Sequence, residues 1–299
     1  MKKVLERSKE GEILVADGAM GTMLITHLKL GECPESINLT RPEILEEIAS
    51  LYLNAGADII QTNTFGASPL KLSLYSLEHK TEEINRNAVL AVRGVVGNHA
   101  YISASCGPSG RLLKPYGDTD SEDVYNAFER QIRAVINAGA DIICIETMTD
   151  LREATLAIKA AKTISPSTPV IATMTFDSTP RGFYTIMGVN IEEAVLGLEM
   201  AGADIIGSNC GNGIENMIKI AREFKKYSNL LLIIQPNTGP PKLEDGIPVY
   251  QETPEFIAEK AKELVAIGVS IIGGCCGTTP AHTRAIRKMV DSYMLTHQY

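Results

Sequence analysis

One phrase recurs four times along this chain. "NAGADIIQTNT" begins at Asn54, "NAGADIICIET" at Asn137 and "MAGADIIGSNC" at Met200, and a weaker copy, "AIGVSIIGGCC", begins at Ala266. A segment of amphipathic helical period precedes each copy. The glycine of the phrase (Gly56, Gly139, Gly202, Gly268) suits the left-handed position just past a helix end. The short β-branched run behind it reads as a buried parallel strand. Four further strand candidates lie before and between the copies: "ILVADGAMGT" from Ile13, "AYISASCGP" from Ala100, "PVIATMTFD" from Pro169 and "LLLIIQPN" from Leu230. The total is eight, and 299 residues shared among eight units gives about 37 per unit, the usual size of a strand plus a helix in a barrel.

Helix starts are marked as well. Thr40 with Glu43, Asp150 with Glu153 and Asn190 with Glu193 have the spacing of capping boxes, and Pro254 and Pro280 each follow a threonine, as at a first helical turn. Strands alternating with helices imply a parallel sheet. Eight even units imply a closed (β/α)8 TIM barrel, an α/β fold in a single domain over residues 1–299. The opening segment "MKKVLERSKEGE", about residues 1–12, is expected to form a short cap over the barrel bottom. A doubly wound open sheet is the rival, but it leaves the even spacing unexplained, and the chain has no G-x-G-x-x-G or Walker phosphate loop.

Composition narrows the function. With 44% hydrophobic and 21% charged residues the chain is ordinary globular protein. A net charge of −8 argues against nucleic acid as a partner. No apolar run follows the first lysines, and no stretch reaches the roughly 18 apolar residues of a membrane span, so a soluble cytoplasmic protein is expected.

In such barrels the reactive residues sit at the C-terminal ends of the strands. The repeat aligns those ends. Counting seven and eight residues from each marker glycine gives Asn63 and Thr64, Glu146 and Thr147, Asn209 and Cys210, and Cys275 and Cys276. Three cysteines therefore fall at one height around one mouth. The last two stand in "GGCCGTTP", residues 273–280. A disulfide between them is strained, because neighbouring Cα atoms are about 3.8 Å apart and an unstrained bridge needs about 4.4–6.8 Å. Six cysteines in 299 residues are also too sparse for a disulfide scaffold.

Three convergent thiolates with one open position describe a catalytic zinc site. Adjacent strand residues point to opposite faces, so Cys275 and Cys276 reach one ion only if the backbone leaves strand geometry, which Gly273, Gly274 and Gly277 permit. A closed structural zinc is the competing reading, but it normally takes a fourth protein ligand. None of the five histidines (His27, His79, His99, His282, His297) falls at an aligned strand end, and they read as surface or packing residues. Cys33, Cys106 and Cys144 read as small buried side chains, although Cys106, at the end of its strand, can also line the mouth.

A zinc carrying three thiolates is a poor generator of hydroxide and a good holder of a fourth thiol, which it keeps deprotonated at neutral pH. A free thiol, with a pKa near 8.5, is mostly protonated there. The chemistry implied is attack by a thiolate on an electrophilic carbon, most simply a methyl group. Asp17 and Glu146, at the ends of strands one and four, can bind an ammonium group, and equally can serve as a loop hydrogen-bond acceptor and a helix cap. Backbone amides of "DGAMGT" (Gly18 and Ala19) and of "CGNG" can take a carboxylate. Asn237, in "QPNTGPP", either braces the pocket or merely opens a turn.

The strings "DGAMGT", "ADIIQTNTF", "IET", "NCG", "PNTG" and above all "GGCCGTTPAH" resemble the homocysteine S-methyltransferase family, from about Ile13 to Ile286. Within it the chain most resembles the homocysteine-binding module of the cobalamin-dependent methionine synthases. That resemblance implies zinc on Cys210, Cys275 and Cys276, homocysteine sulfur as the fourth ligand, and Asp17 and Glu146 on the substrate's amino group. It implies methylcobalamin as donor, supplied by a separate module, with a methyltetrahydrofolate-binding module beside it. The betaine-using branch carries a tyrosine where Gly66 follows Phe65 here, and a glycine leaves room for a bulky donor. The chain has no D-x-H-x-x-G cobalamin motif. A chain complete in itself is instead expected to use S-methylmethionine. The long polar loop "GPSGRLLKPYGDTDSED" after strand three is expected to be a rim or docking surface, or mobile chain.

Overall fold

The structure is a computed structural model that describes residues 2–239 and 251–296, together with the backbone of two short strands within 240–250. His297 and Met1 lie outside the described residues. Eight parallel strands form the barrel: β1 (Leu14–Val15), β2 (Ile59–Gln61), β3 (Tyr101–Cys106), β4 (Ile142–Met148), β5 (Val170–Met174), β6 (Ile205–Asn209), β7 (Leu231–Gln235) and β8 (Ile271–Ile272). They neighbour one another in the order β1-β8-β7-β6-β5-β4-β3-β2. A parallel bridge between Ala16 and Ile59 brings β1 back to β2 and closes the ring. The outer helices are α1 (Pro42–Asn54), α2 (Thr81–Val96), α3 (Ser121–Asn137), α4 (Leu151–Ile164), α5 (Ile191–Ala201), α6 (Ile214–Tyr227), α7 (Pro254–Ile267) and α8 (Pro280–Thr296). Two small hairpins, Asp177–Thr179 with Gly182–Tyr184 and Lys242–Glu244 with Ile247–Val249, decorate the ends of β5 and β7.

Strand residues alternate between two apolar layers, as period-two geometry requires. One layer, with Ile60, Ile143, Ile206 and Ile272, packs against the helices. The other, with Leu14, Ile59, Ile142, Ile205 and Ile271, fills the barrel interior. Val4, on the short N-terminal helix Val4–Lys9, joins this interior cluster from below. The Tyr101 hydroxyl donates to the Lys2 carbonyl at 2.5 Å, and Arg7 pairs with Asp58 at 2.9 Å.

The aspartate of the repeat turns out to have a structural task. Asp58 accepts from the Val15 N–H at 2.9 Å, Asp141 from Ile102 at 2.9 Å and Asp204 from Val170 at 2.7 Å. In each case the aspartate's own N–H returns to the same residue's carbonyl, so each pair of strands is clasped at its N-terminal end. Each carboxylate also meets a cation two helices back: Arg287 of α8 at 3.0 Å, Arg93 of α2 at 2.7 Å and Lys162 of α4 at 2.5 Å. The fourth copy has Ser270 at this position, with its N–H on the Leu232 carbonyl.

Helix capping follows the sequence in part. Asn190 and Glu193 form the reciprocal box, and Thr253 caps Phe256. The Thr40–Glu43 box does not form. Thr40 lies in a short helical turn, its hydroxyl bonded to the Ser36 carbonyl, and α1 starts with Arg41 as cap and Pro42 in its first turn. Asp150 caps Arg152 alone, because Glu153 is drawn away to the Ser109 N–H at 2.7 Å.

Removing a clasp strands a buried amide, a loss of about 1–3 kcal/mol. Asp204→Ala is therefore expected to lower the unfolding free energy by about 2 kcal/mol in urea titration. Ser270→Asp, which supplies the missing carboxylate opposite Leu232, is expected to raise it.

Candidate metal and substrate site

The three cysteines converge. Cys210, Cys275 and Cys276 have sulfurs that all lie within 4.8 Å of one another, and the Cys210 and Cys276 sulfurs are 3.8 Å apart. Tetrahedral zinc with Zn–S bonds of about 2.3 Å sets its sulfurs about 3.8 Å apart. The donor set thus fits a thiophilic divalent ion in both chemistry and spacing.

The local backbone explains the convergence. Cys210 directly follows β6 with φ of 61°, a left-handed conformation that is costly for a residue with a Cβ. Strand alternation would send Asn209 and Cys210 to opposite faces. The left-handed turn brings both to the mouth. Thr147, at the same height near the end of β4, has φ of 59° and lies on the same network. Cys275 and Cys276 follow β8 in a turn tied on both sides. The Cys275 N–H donates to the Pro236 carbonyl at 2.8 Å, and the Cys276 carbonyl accepts from the Thr238 N–H at 3.1 Å. Of the flanking glycines only Gly277 has positive φ, 83°. Gly273 and Gly274 are needed for close approach instead. A Cβ on Gly273 would meet the Ala16 methyl at 2.7 Å, and one on Gly274 would meet Thr278 Oγ1 at 2.4 Å.

Charge is uneven among the thiols. Hydrogen bonds from Cys275 and Cys276, then from the Gly211 N–H and the Asn237 side chain, pull Cys210 down to about 3. The same neighbours, with burial, push Cys275 well up. Without a cation, the trio resists a second and third ionisation.

Beside the sulfurs stand two buried carboxyls. Asp17 Oδ2 accepts from the Gln61 N–H at 2.8 Å, and Oδ1 has no partner among the described residues. Glu146 accepts from Gln61 Nε2 at 3.2 Å, from Ser105 Oγ, and from Asn209 Nδ2 at 3.4 Å. Burial raises both groups, Asp17 to about 8, with the Glu146 charge adding to the rise. Asn209 joins the two halves of the site. Its Oδ1 accepts from Thr147 N–H and Thr173 Oγ1, and its Nδ2 points at Thr147 Oγ1, Glu146 and Cys275.

The other expected residues divide. Asn237 lies against Cys210 with its Oδ1 buried and without a partner among the described residues. Gly18 is packed so closely that a Cβ would meet Thr278 Oγ1 at 2.6 Å. The Ala19 N–H is already taken by Thr278 Oγ1 at 3.1 Å, so it is not presented to a ligand carboxylate. Asn63 and Thr64 stand apart from the cysteines: Asn63 holds Pro34 and Asn38, and Thr64 holds Thr62 and the Ser105 carbonyl. Cys33, Cys106 and Cys144 are buried, with thiols pushed up mainly by that burial. Sequence reading missed Gln61 and Ser105. Both are polar residues on strands that are otherwise largely apolar, which is the signal that marks them.

A carboxyl raised from about 3.8 to about 8 stabilises the fold while protonated. That contribution is complete below the unfolded value and is lost as pH rises through the folded one. The ligand-free, metal-free protein is therefore expected to lose stability between about pH 5 and 8 in urea titrations. In Asp17→Asn the loss over that window should be smaller. An unchanged slope would place the titration elsewhere.

A model of the homocysteine S-methyltransferase family matches residues 14–290. The methionine synthases of Mycobacterium leprae and Mycobacterium tuberculosis are each 32% identical over 296 residues, covering 93% of this chain and 24% of theirs. The chain thus spans about a quarter of the length of these curated relatives. Among solved structures, the metallated form of the Escherichia coli homocysteine methyltransferase MmuM aligns with a TM-score of 0.78 at 22% identity, over 95% of this chain and 99% of that one. The carboxyl transferase domain of Rhizobium etli pyruvate carboxylase, with pyruvate, aligns at 0.54 and 13% identity, over 97% of this chain and 48% of that one. These two likenesses show the barrel fold alone. The family match, which takes in all eight strands, establishes that the chain belongs to the homocysteine S-methyltransferase family.

Proposed function

We propose that the chain binds homocysteine and activates its thiol for methylation to methionine, with zinc on Cys210, Cys275 and Cys276 and methylcobalamin on another module as donor. The convergence of three sulfurs within 4.8 Å at the barrel mouth carries this reading. When bound, zinc supplies an electrophilic site that takes a thiol as thiolate near neutral pH.

The chain's own residues do the rest. Asp17 and Glu146, two buried carboxyls of which Asp17 has an oxygen without a partner among the described residues, hold the substrate ammonium, and Asp17 releases its proton to solvent when it arrives. With Ala19 engaged by Thr278, Cys210 by Gln235 and Gly211 by the Cys210 sulfur, the substrate carboxylate falls to the Gly18 turn and the amides of Asn212 and Gly213. Asn209 fixes the distance between the amino and sulfur ends by touching both Glu146 and Cys275. Asn237 steadies the Cys210 sulfur, and Thr147 steadies Asn209. In the transfer, the homocysteine sulfur forms a bond to the methyl carbon while the donor–carbon bond breaks and its electron pair stays with the donor.

The donor assignment draws on the methionine synthase relatives, of which this chain matches 24%. A cobalamin module and a methyltetrahydrofolate module are the proposed partners. The mouth suits a large visitor: Phe65, Leu112, Tyr116 and Ile186 stand exposed on the loops after β2, β3 and β5. Gly66 suits it also. Its N–H is held by Glu35 at 2.6 Å, and a Cβ there would meet that carboxylate at 2.7 Å, so the tyrosine of the betaine-using branch would require Glu35 to move. Residues 1–299 are read as one such module, with about 1–12 as its bottom cap. No helix among the described residues is long and apolar enough to cross a membrane. The acidic net charge of −8 offers nucleic acid no footing, and the cytoplasm is the proposed compartment.

Three measurements test this. Purified protein is expected to hold about one equivalent of zinc, lost in Cys210→Ala; retained zinc would refute the ligand set. Glu146→Gln should weaken homocysteine binding about tenfold or more by calorimetry, the worth of one charged hydrogen bond, with zinc content unchanged. Methyl transfer to homocysteine should proceed from methylcobalamin in preference to S-methylmethionine or betaine, and a preference for either of these would overturn the donor assignment.

A further inference from the structure

His282 lies in the first turn of α8, six residues past Cys276, and is 7% exposed. Its ring is bonded at both ends. Nδ1 is 3.1 Å from the Thr279 N–H, which can only donate, and Nε2 is 3.1 Å from the Glu252 carbonyl, which can only accept. Those two partners fix the tautomer: Nδ1 is bare and Nε2 carries the proton. Burial pushes the imidazole below its ordinary range and keeps it neutral.

From Glu252 the bonding runs back to the cysteines. The Glu252 N–H donates to the Thr238 carbonyl at 3.1 Å, and the Thr238 N–H donates to the Cys276 carbonyl at 3.1 Å. The covalent chain from Cys276 to Thr279 completes the circuit Cys276–Thr279–His282–Glu252–Thr238–Cys276. A branch leaves it through the Glu252 side chain, whose Oε2 accepts from the Ile214 N–H at 3.3 Å, at the start of the helix that follows Cys210. The glycines here leave room for this branch. A Cβ on Gly213 would meet Glu252 Oε1 at 2.4 Å and the Gly239 Cα at 3.0 Å.

We infer that His282 is a positioning residue for the metal site: by joining Thr279 to Glu252 it closes a hydrogen-bonded ring that sets Cys276, and through the Glu252 carboxylate Cys210, at the spacing a single ion requires. The inference rests on the three-cysteine reading above, and it adds a residue that touches neither metal nor substrate. Cys210 and Cys276 are on different loops, 66 residues apart in sequence. Their 3.8 Å spacing needs a connection between those loops, and the ring with its branch supplies it.

The test uses the full chain as wild type, His282→Leu, His282→Gln and Glu252→Met. Leucine keeps the bulk and removes both bonds, and glutamine keeps one acceptor and one donor. One probe is cobalt(II) alone, its affinity read from the sulfur-to-cobalt absorption band against a competing chelator. The other is metal-free: phenylarsine oxide, which bridges two close thiols, in a Cys275→Ser background where Cys210 and Cys276 form the pair. Cobalt affinity is expected to fall about tenfold or more in His282→Leu, as for other outer partners of metal ligands, with arsenical binding weakened in step. Glutamine should recover most of both. Glu252→Met, which cuts only the branch, should show the same loss and decides the matter if His282→Leu does not fold. Wild-type affinity for both probes in His282→Leu, or a loss that glutamine does not recover, overturns the inference. Wild-type protein that takes the arsenical and refuses cobalt overturns the metal reading instead, and the arsenical results then judge the ring.

Discussion

Two thiolates 3.8 Å apart repel by about 4 kcal/mol at an effective dielectric of 20, and a third sulfur within 4.8 Å makes matters worse. Three sulfurs held this way can ionise together only around a cation. Much else about the mouth follows from that constraint. Cys210 accepts a left-handed backbone, φ 61°, to face its partners. Gly273 and Gly274 lack side chains, so the backbone leading to the vicinal pair packs close against Ala16 and Thr278. Asn237 and the Gly211 N–H lend hydrogen bonds that tilt the first ionisation to Cys210.

The two ends of the barrel divide the work. At the N-terminal end, Asp58, Asp141 and Asp204 clasp neighbouring strands and pair with Arg287, Arg93 and Lys162. Each of these carboxylates meets both a strand amide and a cation. At the C-terminal end the bonding is deliberately incomplete: Asp17 Oδ1 and Asn237 Oδ1 are buried without partners among the described residues. Unsatisfied buried acceptors cost stability unless something arrives to meet them. Strain and unmet polarity therefore gather where a guest is expected, and the clasped end supports them.

The barrel was legible because its repeat is. The glycine-marked phrase located four strands, four β-branched runs supplied the others, and the spacing put the three cysteines at one height. What the spacing could not carry was backbone conformation and who bonds to whom. Period-two alternation does not foresee a left-handed residue such as Cys210 or Thr147. Asn63 and Thr64 shared the right height, yet their side chains brace the β1 and β3 ends. Ala19 sat in the expected turn, yet its amide was spent on Thr278, a residue 259 positions away. Thr40 had capping spacing, but Pro42 fixed the true start of α1 two residues on. The aspartate of the repeat passed as part of the marker, since its partners lie on other strands and helices. His282 read as a packing residue, and its buried ring bears that out while its two bonds give it more to do.

The account stands on one proposition: a single divalent ion joins the three sulfurs and keeps a place for a fourth. X-ray absorption at the zinc edge measures this directly, by counting sulfur neighbours with and without homocysteine. The account predicts three sulfurs at about 2.3 Å in the substrate-free protein and four once homocysteine is added. A sulfur count that does not change on adding homocysteine would contradict it.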